Sequence, residues 1–274
     1  MPISAPDLTA PIQESGSYRA WSLDPSGAAP FDLAWHSRAG HGASEAQHLL
    51  PFTEPSIAIR RRYSEDGATL DWDFVVFKAQ PDGGAYDPQS GEELFALRFA
   101  PEMMESAFAL KASEFMTEDR EVPGCLRDRL SDAAHLADGG DFRSAWSAMH
   151  HGLRQIAGES EIDRVSRAAS LARRSRGAIG PALLAEQTGL SLRHLRRCFV
   201  DRLGLSPRAL LRRQRLTSAM LDAERAARPG WADVAAGHNF SDQAHMVREC
   251  RALIGKSPGE WHRERRRMAV SFNT

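Results

Sequence analysis

Gly189-Leu190-Ser191, followed by Leu195, Arg197, Phe199 and Gly204-Leu205-Ser206-Pro207, decides how the rest of the chain is read. About 50 residues on it returns as Asn239-Phe240-Ser241, followed by Met246, Arg248, Cys250 and Gly255-Lys256-Ser257-Pro258, with one extra residue in the step from turn to helix. In the first copy Pro181 opens a short helix through Leu184 and Ala185 to Thr188, because proline is tolerated where a helix has no partner for its N–H. Gly189 supplies the left-handed residue that ends it, Leu190 plugs the core, and the Ser191 hydroxyl caps the next helix. That helix buries Leu192, Leu195, Phe199 and Leu203 on one stripe and leaves Arg193, Arg196 and Arg197 on another.

In the second copy Asn239 takes the place of glycine, which works because asparagine visits the left-handed region more readily than other side chains. Met246 and Cys250 occupy the core positions of Leu195 and Phe199, leaving Gln243, Ala244, Val247 and Arg248 to face outward. Ser206-Pro207 and Ser257-Pro258 each pair a capping serine with proline at the first helical position. The helix from Pro207, with Leu210, Leu211, Leu216, Ala219 and Met220, is long enough to join the two units rigidly. Two helix-turn-helix units in tandem are therefore expected.

Working outward, the formal net charge of −1 conceals a split. Residues 161–274 hold 22 Lys+Arg against 11 Asp+Glu, whereas residues 1–160 hold 13 against 25. Only the C-terminal half is balanced for a polyanion, although solvated Arg-rich helices account for the charge alone equally well. Residues 1–100 read as short strands between turns, at Ser17–Leu23, Phe31–His36, Ser56–Arg62, Leu70–Phe77 and Glu93–Phe99. From Pro101 the periodicity turns helical, through Leu126, Leu130 and Ala134, then Phe142, Trp146, Met149 and Leu153. Gly158-Glu159-Ser160 reads as the linker. The fold class expected is a two-domain α+β chain: a mainly β domain over 1–100, a helical annex over 101–158, and an all-α domain of two helix-turn-helix units over 161–265.

The spaced positions resemble the AraC/XylS transcription regulators over roughly Ile162 to Arg263. They include Leu184-Ala185…Gly189-Leu190-Ser191…Leu195…Arg197…Phe199, the connector Ser206-Pro207…Arg215-Leu216…Ala219, and Asp233-Val234-Ala235…Phe240-Ser241-Asp242-Gln243-Ala244-His245…Arg248…Gly255-Lys256-Ser257-Pro258…Trp261. Asn239 and Cys250 depart from the family, which usually has glycine and an aromatic there. Leu94 to Val122 is similar to the β-rich module of one subgroup, often a cupin-like sensor or dimerisation domain. The resemblance implies a sequence-specific, non-enzymatic regulator with double-stranded DNA and RNA polymerase as partners, a small-molecule effector and a homodimer. It places Ser191, Arg193, Arg196 and Arg197 of the first unit and Gln243, Ala244, Val247 and Arg248 of the second at DNA. With three arginines against one, the first unit is expected to dominate specificity. Whether Arg197 or Arg248 reads a base or grips phosphate stays open.

Other features weigh less. Cys125, Cys198 and Cys250 are scattered without a C-x-x-C pair and read as reduced, buried thiols. His36, His41 and His48 invite a metal-site reading but match no ligand motif, so no metal or cofactor is expected. His150 and His151 point to different helix faces. His194 and His245 occupy corresponding positions and read as packing groups beside the recognition helices. Arg60-Arg61-Arg62 cannot form one patch on a strand and reads as an edge. Arg263-Glu264-Arg265-Arg266-Arg267 is placed after the last helix, where it could favour the helix end or grip phosphate. No Gly-x-Ser-x-Gly, phosphate-binding glycine loop or His-Glu-x-x-His occurs. Without an apolar run long enough for a span, and with no secretion signal at Met1 to Ala10, the cytoplasm is the expected address. The competing reading is an enzyme or small-molecule-binding protein acting through residues 1–160, with the C-terminal half as a docking module.

Overall fold

The computed structural model describes residues 13–15, 18–22, 31–41, 47–86, 89–138, 142–157 and 162–271. The proposed linker at 158–160 lies outside them. Among the described residues eight strands come first, β1 Gln13–Ser15, β2 Tyr18–Ser22, β3 Phe31–Arg38, β4 Gln47–Leu49, β5 Ser56–Tyr63, β6 Thr69–Phe77, β7 Gly84–Tyr86 and β8 Glu92–Phe99, and the short β9 Arg120–Glu121 follows the first helix. All pairings are antiparallel, in a seven-stranded sheet ordered β1-β2-β3-β8-β5-β6-β9 and a two-stranded sheet of β4 and β7. Central strands are buried on both faces, which is why the middle of β8, Leu94 to Leu97, is an unbroken apolar run. One face carries Ile57, Ile59, Phe95 and Leu97, while Ala58, Val75 and Ala96 lie on the other.

The helices are α1 Met104–Phe108, α2 Gly124–Asp138, α3 Phe142–Ala157, α4 Arg164–Arg174, α5 Pro181–Thr188, α6 Leu192–Leu203, α7 Pro207–Glu224, α8 Trp231–Gly237, α9 Gln243–Ile254 and α10 Pro258–Ser271. The β-rich start, helical annex and all-α end follow the expected fold class. Trp146 of α3 packs edge-on against Trp21 of β2, with ring centroids 5.1 Å apart. His150 is buried beside Phe31, while His151 is exposed and bonded to Gln155 one turn on.

Two expectations are corrected. Arg60-Arg61-Arg62 does not lie on an edge, because β5 sits between β8 and β6. Acidic neighbours neutralise the run: Arg60 pairs with Asp73, Arg61 with Glu93 at 2.9 Å, and Arg62 with Asp71 at 2.6 Å. Cross-strand neighbours are not sequence neighbours, so this compensation depends on strand order. The basic run 263–267 does not follow the last helix but lies within α10, where Arg265 is buried and bonded to Glu224 at 2.7 Å.

The two halves of the chain share their packing. One hydrophobic cluster runs from the sheet through α2 and α3 to Leu184, Leu195 and Phe199. Leu50, from the loop after β4, is buried with Met246, Cys250 and Trp261 in the core of the second unit. Buried charge crosses the same boundary. Arg98 of β8 makes two bonds of 2.9 Å to Asp32 of β3, and Arg173 of α4 reaches Asp32 at 2.5 Å. The same Arg173 clasps Glu102 at 2.7 and 3.0 Å. Burial alone would raise the Asp32 carboxyl, but Arg98 and Arg173 hold it below the usual range. In the same way burial is outweighed at Glu93 by hydrogen bonds from His36 and Arg61.

A carboxylate whose folded pKa lies below its unfolded value contributes stability above the unfolded pKa and loses it as pH falls. The denaturant midpoint is therefore expected to drop progressively from about pH 5 towards pH 2. A midpoint unchanged between pH 6 and pH 3 would contradict the ionised state of these buried carboxylates.

Candidate nucleic-acid interface

Each helix-turn-helix unit is assembled by its caps. Gly189 sits at φ 63°, closing α5, and the Ser191 side chain accepts from the His194 N–H to open α6. Ser206 caps α7 by accepting from the Ala209 N–H. In the second unit Asn239 is left-handed at φ 57°, as the repeat predicts. The extra residue in this copy is Asp242, and it replaces the serine as the cap of α9, accepting from the His245 N–H at 2.6 Å. That backbone bond holds the Asp242 carboxyl below its ordinary range. Ser257 and Glu260 form a reciprocal capping box at the start of α10.

Inward, the two helices correspond position by position. Leu195 and Phe199 of α6 and Met246 and Cys250 of α9 are all 0% exposed. Burial pushes the Cys250 thiol up to about 12, leaving it a small apolar filler. Cys198 is only half-buried, contrary to expectation, and the Cys125 side chain lies outside what is described.

Outward, Ser191, Arg193, Arg196 and Arg197 are exposed in the first unit, with the Ser191 hydroxyl committed to its cap. In the second, Gln243, Ala244 and Arg248 are exposed and Val247 is half-buried. Arg193 and Arg196 enter no hydrogen bond or salt bridge among the described residues, whereas Arg197 lies 3.2 Å from the Nδ1 of His194. His245 plays a different part from His194: its Nδ1 lies 3.3 Å from the Ser241 backbone N–H and its ring packs edge-on against Phe240.

Leu192, expected in the buried stripe, is instead 52% exposed at the first position of α6, one turn short of the packed core. Reading by residue class also overlooked Val200 at 50% exposure and the exposed Arg251. Helical register could have found both, since each lies three and four residues beyond members already identified. The opposite flank of α6 is occupied. Lys111 bonds Asp201 at 2.9 Å, the Ser113 hydroxyl donates to the Asp201 carbonyl at 2.6 Å, and Arg202 pairs with Glu105 at 2.5 Å and Asp163 at 2.6 Å. The annex and the start of α4 thus grip one side of α6 while its arginine side stays open.

Between the units, α7 carries the registration. Arg212 bonds Glu249 of α9, Arg215 lies over the Phe240 ring at 5.3 Å, and Asp222 contacts both Arg176 at 3.1 Å and His238 at 3.2 Å. Arg213 reaches Asp82 at 2.5 Å and Gln214 reaches Glu54 at 2.8 Å, seating α7 on the β-rich half.

Among the described residues neither His36 nor His41 enters a group of side chains that could hold a metal ion. His36 bonds Glu93 at 2.9 Å, the His41 ring packs edge-on against Tyr63, and the His48 side chain lies outside the described residues. Among the described residues no helix is long and apolar enough to cross a membrane.

Asn239→Gly tests the turn. The Asn239 side chain is exposed and makes no hydrogen bond among the described residues, so glycine should relieve left-handed strain at small entropic cost. Thermal unfolding should show a change between zero and about 1 kcal/mol of stabilisation. A clear fall in Tm would expose a side-chain contribution that this geometry lacks.

Residues 184–264 match a family model described as a helix-turn-helix domain. A search of curated proteins returned no match. Among solved structures, ToxT from Vibrio cholerae O395 is 8% identical at a TM-score of 0.45, over 93% of this chain and 98% of that one. An apo lysine-to-alanine variant of ToxT from Vibrio cholerae strain SCE256 is 8% identical at 0.46, over 91% and 98%. Wild-type ToxT bound to an unsaturated fatty acid is 9% identical at 0.43, over 91% and 96%.

Proposed function

We propose, from the premise that residues 184–264 are an AraC-type helix-turn-helix domain, that the chain regulates transcription by inserting α6 and α9 into successive major-groove segments of one DNA face. The observation that carries this is the pairing of two helices with matching buried frameworks and open, cation-bearing outer faces. In the groove Arg193 and Arg196 meet base edges, with Arg197 beside them. Gln243, Ala244, Val247 and Arg248 do the corresponding work in the second segment, about one helical turn away. Ser191 holds α6 at its N-terminal turn, the part of a recognition helix that lies nearest the bases. On this reading the β-rich half over 1–100 serves sensing or dimerisation in the cytoplasm, the annex over 101–158 joins it to the DNA-binding part, and RNA polymerase is the protein partner.

The test is duplex binding by the full chain across a salt series, with footprinting. Affinity should fall steeply between low and physiological salt through counterion release, and protection should cover two segments on one face. Arg193→Ala should flatten base preference in one segment, with Arg248→Ala costing less selectivity. A flat salt response would overturn the proposal. If Arg193→Ala and Arg197→Ala both keep base preference while lowering the salt slope, α6 is an anchor and not a reader.

A further inference from the structure

We infer that the two recognition helices read chemically different half-sites, with α6 taking a guanine-bearing segment and α9 a segment recognised through thymine methyls. This rests on the function proposed above and specifies its ligand. The buried pairs Leu195/Met246 and Phe199/Cys250 align the helices without a gap, so outer positions can be compared one for one. At the second helical position α6 carries Arg193 and α9 carries Ala244; at the fifth, Arg196 is matched by Val247. The sixth position is arginine in both. The difference therefore falls in the N-terminal turns, which in such units lie against base edges.

Guanidinium groups favour guanine, whose O6 and N7 accept two hydrogen bonds, and Arg193 and Arg196 are exposed and unengaged among the described residues. Alanine and valine have nothing to donate or accept. On a face that must leave water for the groove, they gain only where an apolar group meets them, and the thymine C5-methyl is the one that the major groove offers. Gln243, exposed at the first helical position of α9, matches the N6/N7 edge of adenine and so favours the same A·T pairs. The half-sites are therefore unequal in composition, and a site carrying both has a direction.

The experiment begins with selection from random duplexes by the full chain. Enriched sites should contain one guanine-rich and one A·T-rich segment. In such a site, replacing thymine by deoxyuridine removes only the methyl, and should weaken binding about fourfold per contacted methyl in the A·T segment. The same replacement in the guanine segment should matter less than about twofold, whereas 7-deazaguanine there, which lacks N7, should cost about fivefold or more. Val247→Arg should shift the A·T segment towards guanine, which ties it to α9. Two alike segments, or a deoxyuridine effect absent from both, would overturn the inference while DNA binding stands. Failure to enrich any sequence would overturn the proposed function and this inference together.

Discussion

Arg173→Ala is expected to lower stability by about 3–5 kcal/mol, read as a fall in the denaturant midpoint, because it strips a cation from the buried Glu102 carboxylate and from the half-buried Asp32 at once. Asp32 keeps Arg98, but among the described residues Glu102 is bonded through its carboxylate to Arg173, and its side chain is 1% exposed. An ionised group stranded there costs far more than the intact pair contributes, since the pair itself must offset the desolvation of both partners. Two further variants separate these effects. Arg173→Lys keeps the charge but not the fork that bonds Glu102 through two nitrogens, and should lie between wild type and alanine. Combining Glu102→Gln with Arg173→Met removes both charges and should recover much of the loss. A cost below about 1 kcal/mol for Arg173→Ala would mean that the network is solvated, as exposed pairs are.

Gly177→Ala is the second large expectation, for a steric reason. Gly177 turns the chain from α4 towards α5 at φ +71°, where an added Cβ would lie 2.1 Å from the Leu211 carbonyl oxygen and 2.8 Å from the Arg215 backbone nitrogen. Both atoms belong to the backbone of α7 and cannot rotate away. The left-handed conformation costs an L-residue about 1–2 kcal/mol, and forcing the turn off α7 adds about 1–3 kcal/mol more. Gly204→Ala is the control: its φ is also +71°, but the nearest atom, 2.7 Å away, is the Cγ of Met116, on a side chain that can move. Gly177→Ala should be the more damaging by at least about 1 kcal/mol in equilibrium unfolding. Equal losses would mean that the backbone conformation, and not the contact with α7, sets the cost.

Both substitutions act where the helix-turn-helix units are held, and neither would be chosen from the sequence. Arg173 reads there as one more cation on an Arg-rich helix; only the approach of β3 and the Pro101–Met103 turn makes it a buried partner. Gly177 reads as a loop glycine, and its constraint comes from a helix more than thirty residues away in the chain. Leu50 is a similar case, a residue of the acidic half that completes the core of the second unit.

What the amino-acid sequence determined by itself is what short-range physics governs. The turn at Gly189, the left-handed Asn239, the caps at Ser191 and Ser206, and the buried stripe Leu195–Phe199–Leu203 depend on residues within about one helical turn of each other, so their spacing is their structure. The outward-facing arginines follow from the same register. The cap of α9 marks the margin of that legibility, because Ser241 and Asp242 are both competent caps and the fold uses Asp242. Strand order, the neutralisation of Arg60-Arg61-Arg62 by Asp71, Asp73 and Glu93, and the grip on α6 through Asp201 and Arg202 were decided by the tertiary structure alone. Each joins residues far apart in the chain, and the desolvation and packing that select such partners act only once both are brought together.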